Sequence, residues 1–179
     1  MTQLKAPERL ETERLVLRRP ATVDAPEIYR RYANDREVTR YLSWPCHTGV
    51  DATYAFIQFS DAQWRDSPGG PYLIESRSGL ILGGTGLEFA SADQATTGYV
   101  LARDAWGLGY ATEALRAIIE VARQLGVREL QATCHIKHTA SQRVLAKCGF
   151  SRKQDLVIAF PNLPPGEPGD AWLYELVVA

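Results

Sequence analysis

Gly98-Tyr99-Val100-Leu101, Ala102-Arg103-Asp104-Ala105, Trp106-Gly107-Leu108-Gly109-Tyr110-Ala111 and the run on to Leu125 decide how this chain is read. The order is a short strand, a turn, a glycine-rich loop and a helix. Ala111, Leu115, Ile118, Ala122 and Leu125 recur at three- and four-residue steps and form one apolar stripe. Glu113, Arg116, Glu120 and Arg123 take the other side, and Gly126 stands where a helix C-cap belongs. The start of the helix lacks a usual cap: no Ser, Thr, Asp or Asn lies in Gly107–Ala111, and Asp104 is too early. A helix that opens from glycines offers bare N–H groups and the positive end of its dipole to an anion, and glycine permits close approach. The plainer reading is a tight turn capped by water.

Working outward, two familiar nucleotide loops fit poorly. A P-loop ends in Gly-Lys-Ser/Thr, and no lysine is present here. A dinucleotide fingerprint needs a third glycine where this chain has Thr112. Glu129, twenty residues beyond Gly109, starts its strand, whereas the ribose-binding acid belongs at a strand's end. Trp106-Gly107-Leu108-Gly109-Tyr110-Ala111 instead resembles motif A of the GCN5-related N-acetyltransferases, the GNAT superfamily, whose loop reads Gln/Arg-x-x-Gly-x-Gly/Ala. Tryptophan replaces the usual first residue. The longer phrase through Thr112-Glu113-Ala114 looks like the ribosomal-protein N-acetyltransferase (RimJ/RimL-like) branch. The resemblance implies an α/β fold with a mixed central sheet of about seven strands and helices on both faces. It also implies that backbone amides of Trp106–Thr112 hold the pyrophosphate of coenzyme A.

Length and composition agree with an ordinary globular protein. Residues 1–179 suffice for a single domain with a real core. A net charge of −1 gives no electrostatic case for nucleic-acid binding. Cys46, Cys134 and Cys148, an odd count without paired spacing, argue against a disulfide framework or a metal site, and a reducing cytoplasm is the expectation. Met1 to Arg9 holds no apolar core of a signal peptide, and no apolar run approaches membrane-spanning length.

Along the chain, Leu15 and Leu17 alternate with polar neighbours and predict a strand over 10–19, ended by Pro20. This phrase too resembles the opening of Rim-type enzymes. Asp24 is expected to cap a helix reaching Asn34, with Ile28 and Tyr32 on one side. A short helix is expected over 37–42. A longer one covers 51–65, with Ala55, Ile57, Phe59 and Ala62 available for packing, until Ser67-Pro68-Gly69-Gly70 breaks it. Strands follow at 72–75, 80–89 and 97–101, with a turn at Ser78-Gly79 and a bulge at Gly83-Gly84. After the motif helix come a buried strand at 130–134, a helix at 138–147, and a closing pair of strands at 150–160 and 172–178. Between that pair lies a loop of four prolines and two glycines.

Acetyl transfer to an amine needs a held thioester, a donor for its carbonyl, a base for the amine and a proton for the leaving thiolate. By the resemblance, the cofactor arm enters where two parallel neighbour strands splay and pairs with backbone groups of Tyr99, Val100 and Leu101. An N–H near Leu101 would face the oxyanion. Glu88, facing opposite to Leu87 and Phe89, is the expected base; its plain reading is a solvated strand residue. His138-Thr139-Ala140-Ser141 and Lys147-Cys148-Gly149-Phe150 resemble the second cofactor motif, Asn-x-x-Ser then Lys-x-Gly-Phe. Here His138 replaces the asparagine and Leu145 replaces the tyrosine that many relatives use as thiolate acid. Ser141 is therefore expected to hydrogen-bond the thiol, its plain reading being a helix residue bonded to its own backbone.

His135, at a strand end, reads as structural. Tyr41, Trp44 and His47, with Glu167 and Asp170 in the proline-rich loop, are expected to frame the acceptor as an aromatic wall with two carboxylates. The reading is a monomeric or homodimeric enzyme that passes an acetyl group from acetyl-CoA to a primary amine by direct attack. That amine is a small molecule or a protein N-terminus, and neither nucleic acid nor membrane is involved. The alternatives are a silent acyl-CoA sensor of the same fold and a dinucleotide-binding oxidoreductase.

Overall fold

Eight strands, one more than expected, form one sheet in the computed structural model, which describes residues 4–178. The reading of the N-terminus as no signal peptide lies outside the described residues at Met1 to Gln3. In chain order the strands are β1 (Arg9–Glu11), β2 (Leu15–Arg18), β3 (Pro71–Ser76), β4 (Ile81–Phe89), β5 (Gln94–Leu101), β6 (Glu129–His135), β7 (Ser151–Val157) and β8 (Asp170–Val177). Their order across the sheet is β1-β2-β3-β4-β5-β6-β8-β7. Every neighbouring pair is antiparallel except β5 and β6, whose connection is the crossover helix α4 (Tyr110–Gln124).

The extra strand comes from the segment read as one strand over 10–19. It folds back at Thr12, whose hydroxyl accepts from the Leu15 amide at 3.0 Å, and becomes the hairpin β1–β2. Leu15, Val16 and Leu17 are all buried, so the alternation seen in the sequence is covered on both faces.

Four further helices are α1 (Ala25–Ile28), α2 (Arg36–Thr39), α3 (Val50–Asp66) and α5 (Thr139–Lys147). Asp24 does not cap α1. Its carboxylate instead accepts from the Ala21 amide at 2.7 Å and from the Arg18 guanidinium at 2.7 and 2.8 Å, because half-buried Arg18 offers a charged partner. After α1 the chain widens into a π-helical turn (Tyr29–Ala33), and Ile28 and Tyr32, expected on one side, are both buried. α2 carries a true cap, Asp35, which accepts from the Glu37 and Val38 amides.

In α3 the buried face is Thr53, Ile57, Ser60 and Trp64, a heptad-like spacing, while Ala55 and Phe59 face solvent. The closing strand stops at Val157 rather than Phe160. The expected bulge lies one residue early: Ile74 pairs with Gly83 and Glu75 with Ile81, leaving Leu82 unmatched.

The core falls into two clusters. One gathers α4, through Ala114, Leu115, Ile118 and Ala122, against Leu17, Tyr72, Ile74, Leu87 and Leu130. The other gathers Ile28, Tyr32 and Ile57 against Leu73 and Ile81. Leu73 and its neighbours Tyr72 and Ile74 divide between the clusters as the pleat requires. α4 ends as read: Leu125 is the C-cap and Gly126 follows at φ 82°. No helix among the described residues is long and apolar enough to cross a membrane.

Candidate active site

The site begins where the one parallel pairing fails. β5 and β6 match for only three residues, Gln94–Thr96 against Glu129–Gln131, and then part. β5 continues on β4 as far as Leu101, and β6 continues on β8 as far as His135. β5 leans onto β4 at Gly83, where a Cβ would meet the Val100 carbonyl oxygen at 1.9 Å. Only glycine permits that approach. A cavity of about 610 Å3 occupies the parting and is lined by Thr97–Val100 on one wall and Gln131–Cys134 on the other. A Cβ on Gly98 would meet nothing within 4 Å, so the middle of the β5 wall stands open.

The glycine-rich loop follows directly after β5. The Trp106 indole donates to the Leu101 carbonyl at 2.8 Å and ties the loop to the strand. Gly107 and Gly109 adopt φ 74° and 83°, and α4 opens at Gly109 with no side chain capping it. Leu108 and Trp106 are exposed. Arg14, which the sequence reading passed over, stands beside the opening. Its Nη1 donates to the Leu108 carbonyl at 2.9 Å, its Nε pairs with Glu113 at 2.7 Å, and its guanidinium lies 4.7 Å from the centre of the Tyr110 ring. Burial pushes the Glu113 carboxyl upward, but hydrogen bonds from Thr12 and from the Arg14 backbone and side chain outweigh it, so the group is held low and ionised. The only hint of Arg14 in the sequence was the opening phrase it belongs to. The loop residues themselves lie outside the cavity lining, at the surface beside it.

Within the cavity, Ser141 on the first turn of α5 meets Tyr99 from β5. The Tyr99 hydroxyl lies 2.9 Å from Ser141 Oγ and 3.1 Å from the Ser141 carbonyl oxygen. Both residues line the cavity, as do Leu145, fully buried, and Cys134. Burial pushes the Tyr99 phenol up, against the bond from Ser141. Burial likewise pushes the Cys134 thiol up, and a hydrogen bond from Ser141 works the other way. Leu145 removes the expected phenol from α5, yet a phenol arrives from the facing strand. The sequence reading assigned Tyr99 a backbone role only and missed this.

His138 precedes α5 at its N-cap position and lines the cavity. Burial, with the neighbouring His135, lowers its pKa to about 4, so the imidazole is neutral near neutral pH. Tyr41 stacks on His135 at 4.7 Å between ring centres and lies tilted against His138 at 4.9 Å. His135 is structural, as read: its Nδ1 accepts from the Lys137 amide and its Nε2 bonds the Pro168 carbonyl, both at 3.1 Å.

The two segments expected to frame the acceptor do meet. Asn162 donates to the Thr39 and Trp44 carbonyls at 2.8 Å and accepts from the Cys46 amide at 2.7 Å. Tyr41, Trp44 and His47 line the cavity, and so does Glu88, exposed on β4. A Cβ on Gly84 would sit 3.3 Å from the Tyr32 hydroxyl, so Gly84, and Glu88 two pleats on, face the side of the sheet that carries α1.

The two loop carboxylates are not brought there. Glu167 is spent on Arg40 at 2.9 Å and Lys137 at 3.0 Å, because those cations approach it from α2's end and the β6–α5 turn. Asp170 opens β8 beside a separate small hollow with Asp155 and Trp172. Val100 lines the cavity, whereas Leu101 is buried with its carbonyl taken by Trp106. Glu129, the residue that tempted a dinucleotide reading, bonds Gln94 and Gln131 at the base of the parting.

Comparison with known proteins agrees with this architecture. Residues 14–151 match the acetyltransferase (GNAT) domain family. The chain is 30% identical over 172 residues to YoaA, an uncharacterized N-acetyltransferase of Bacillus subtilis (strain 168), covering 94% of this chain and 96% of that protein. Many solved structures share the fold, among them two that carry CoA. RimL, a ribosomal L7/L12 alpha-N-protein acetyltransferase in complex with coenzyme A, superposes with a TM-score of 0.83 at 19% identity, covering 96% of this chain and 98% of that one. Spermidine N-acetyltransferase from Vibrio cholerae, in complex with CoA and spermine, does so with a TM-score of 0.79 at 16% identity, covering 93% and 97%. The chain belongs to the GNAT acetyltransferase family.

Proposed function

We propose that this protein transfers an acetyl group from acetyl-CoA to a primary amine by direct attack, as one domain. The observation that carries the reading is the parting of β5 from β6 beside a helix that opens from left-handed glycines without a cap. The residues present fit the cofactor. Bare amides at the start of α4 suit a pyrophosphate, Arg14 adds a cation next to them, and the open β5 wall at Gly98 leaves room for an extended arm. RimL, of like fold, was solved with coenzyme A. The phrase Trp106–Ala114 further supports a place near the Rim type within the family.

When bound, acetyl-CoA supplies a thioester carbonyl and a thiol leaving group. Backbone groups of Tyr99 and Val100 orient it, and the α4 amides hold its phosphates. Glu88 takes the proton from the incoming ammonium, directly or through water, from the α1 side of the sheet. Ser141 donates to the departing sulfur, with Tyr99 holding the serine oxygen. Neutral His138 offers an uncharged edge beside them.

Thiol release from acetyl-CoA with a panel of amines tests the activity. A protein that binds CoA yet turns over with no amine would be the silent sensor instead. Glu88→Gln keeps shape and removes the base; kcat should fall about 10²- to 10⁴-fold with CoA affinity nearly intact. A kcat within twofold of the wild type would move the role elsewhere.

A further inference from the structure

We infer that the acceptor is a monoamine with an apolar, ring-sized body and no carboxylate, rather than a polyamine, an amino acid or a peptide N-terminus. The inference rests on the acetyl-transfer reading and names the substrate class for it. Among the described residues that line the cavity, Glu88 is the only Asp, Glu, Lys or Arg. The acceptor side is instead built by Trp44, His47, Phe56, Phe59 and Phe160.

This wall is preformed. Asn162 grips the Trp44 carbonyl at 2.8 Å, the Trp44 ring lies 5.2 Å from the His47 ring, and His47 Nδ1 is 2.8 Å from the Thr53 hydroxyl. Burial lowers the His47 pKa, and His138 is neutral, so neither ring adds a cation at neutral pH. Arg40 and Lys137 share the one carboxylate of Glu167 and do not line the cavity, though the Arg40 guanidinium lies 5.3 Å from the centre of the Tyr41 ring behind the lining.

Charge counting then decides the class. One carboxylate matches one ammonium. A second or third ammonium would be desolvated in the lining without a carboxylate counter-ion, and a carboxylate on the acceptor would meet no cation within the lining. A ring or branched hydrocarbon body, by contrast, gains from leaving water for Trp44 and Phe56.

The test measures kcat/KM by thiol release for 2-phenylethylamine, L-phenylalanine, spermidine and a serine-initiated tetrapeptide. Calorimetry in the presence of CoA measures the binding of each amine directly. The expected result is that 2-phenylethylamine exceeds each of the others by about tenfold or more in both measurements. L-phenylalanine differs from it by the carboxylate alone. Equal or better performance by spermidine, L-phenylalanine or the peptide overturns the inference.

If CoA binds and no amine is turned over, the acetyl-transfer reading fails. The amine binding order still judges the pocket: 2-phenylethylamine first supports the inference, any other order overturns it. A second variant works at the mouth, where Phe59 is 52% exposed and its replacement spares the core. Phe59→Glu should raise the spermidine to 2-phenylethylamine ratio several-fold, and an unchanged ratio counts against the inference.

Discussion

At Tyr99 a strand residue brings to Ser141 the phenol that the resemblance places on a helix. Its ring packs against the α4 cluster while its hydroxyl crosses the parting to Ser141 at 2.9 Å. One proton cannot serve both the Ser141 carbonyl and the Ser141 hydroxyl. When Tyr99 donates to Oγ, the serine proton is free for a sulfur in the cavity. A hydrogen bond between neutral groups contributes roughly 0.5–1.5 kcal/mol. Tyr99→Phe keeps the packing and loses that bond, so kcat should fall about 2- to 10-fold with KM for both substrates little changed.

If Tyr99 acts through Ser141, the double variant with Ser141→Ala should be no slower than the worse single one. Additive losses in steady-state kinetics would separate the two residues. The facing of Glu88, by contrast, was legible from alternation, because a strand face needs only period two; its candidacy as base came from the resemblance. Tyr99 was not, because its partner is forty-two residues away and is met only when β6 and α5 fold back.

At the scale of the element, the loop and the start of α4 form a unit. Trp106 anchors it to Leu101, Gly107 and Gly109 turn it in left-handed conformations, and Arg14 with Glu113 braces it from the β1–β2 hairpin. A side chain at Gly109 would be strained at φ 83° by about 1–2 kcal/mol and would press on the Arg14 guanidinium, 3.3 Å from the Cβ position. Gly109→Glu also sets a negative charge where an anion should sit. CoA should raise the melting temperature of the wild type and leave that of the folded variant unmoved, as calorimetry or a thermal-shift assay would read. An undiminished shift in the variant would remove the phosphate site from this loop. The element itself was readable, since glycines ahead of an apolar stripe mark a turn into a helix, while the choice between an anion and water at its opening was not. Its brace was not, because nothing near Gly109 in the chain points to Arg14.

Across the whole molecule, charge and burial set a pH response. His138 is held to about 4 in the folded protein against an ordinary 6.5. Between these values the unfolded chain carries a proton there that the folded one does not, so stability should fall as pH drops from 6.5 towards 4. His47, also lowered by burial, adds in the same direction.

Below that window the acids take over. Asp24 is disfavoured by burial, but bonds from Arg18 and the Ala21 amide win and hold it low, and Asp35 is held low chiefly by Arg103. Their contribution is present above the ordinary carboxylate range and is lost as pH falls through their lowered values. Denaturant midpoints measured from pH 7 to pH 4 should therefore decline, and His138→Gln should flatten the decline. An unchanged slope in that variant would assign it to other groups.

Local chemistry determined what could be read without coordinates. The stripe on α4, its glycine opening, the Gly126 stop and the element order all follow from interactions within a few residues, and such interactions are written in spacing. The sheet's eighth strand, the buried face of α3 and the fate of Glu167 and Asp170 depended on packing between distant segments. Val16 could be apolar on a second face only because the sheet is covered on both sides. Phe59 turned outward because Thr53, Ile57, Ser60 and Trp64 fitted the sheet better. Glu167 was lost to the cavity because Arg40 and Lys137, 127 and 30 residues away in the chain, converge on it. A carboxylate goes to the nearest cation in space, and only the tertiary structure decides which cation that is.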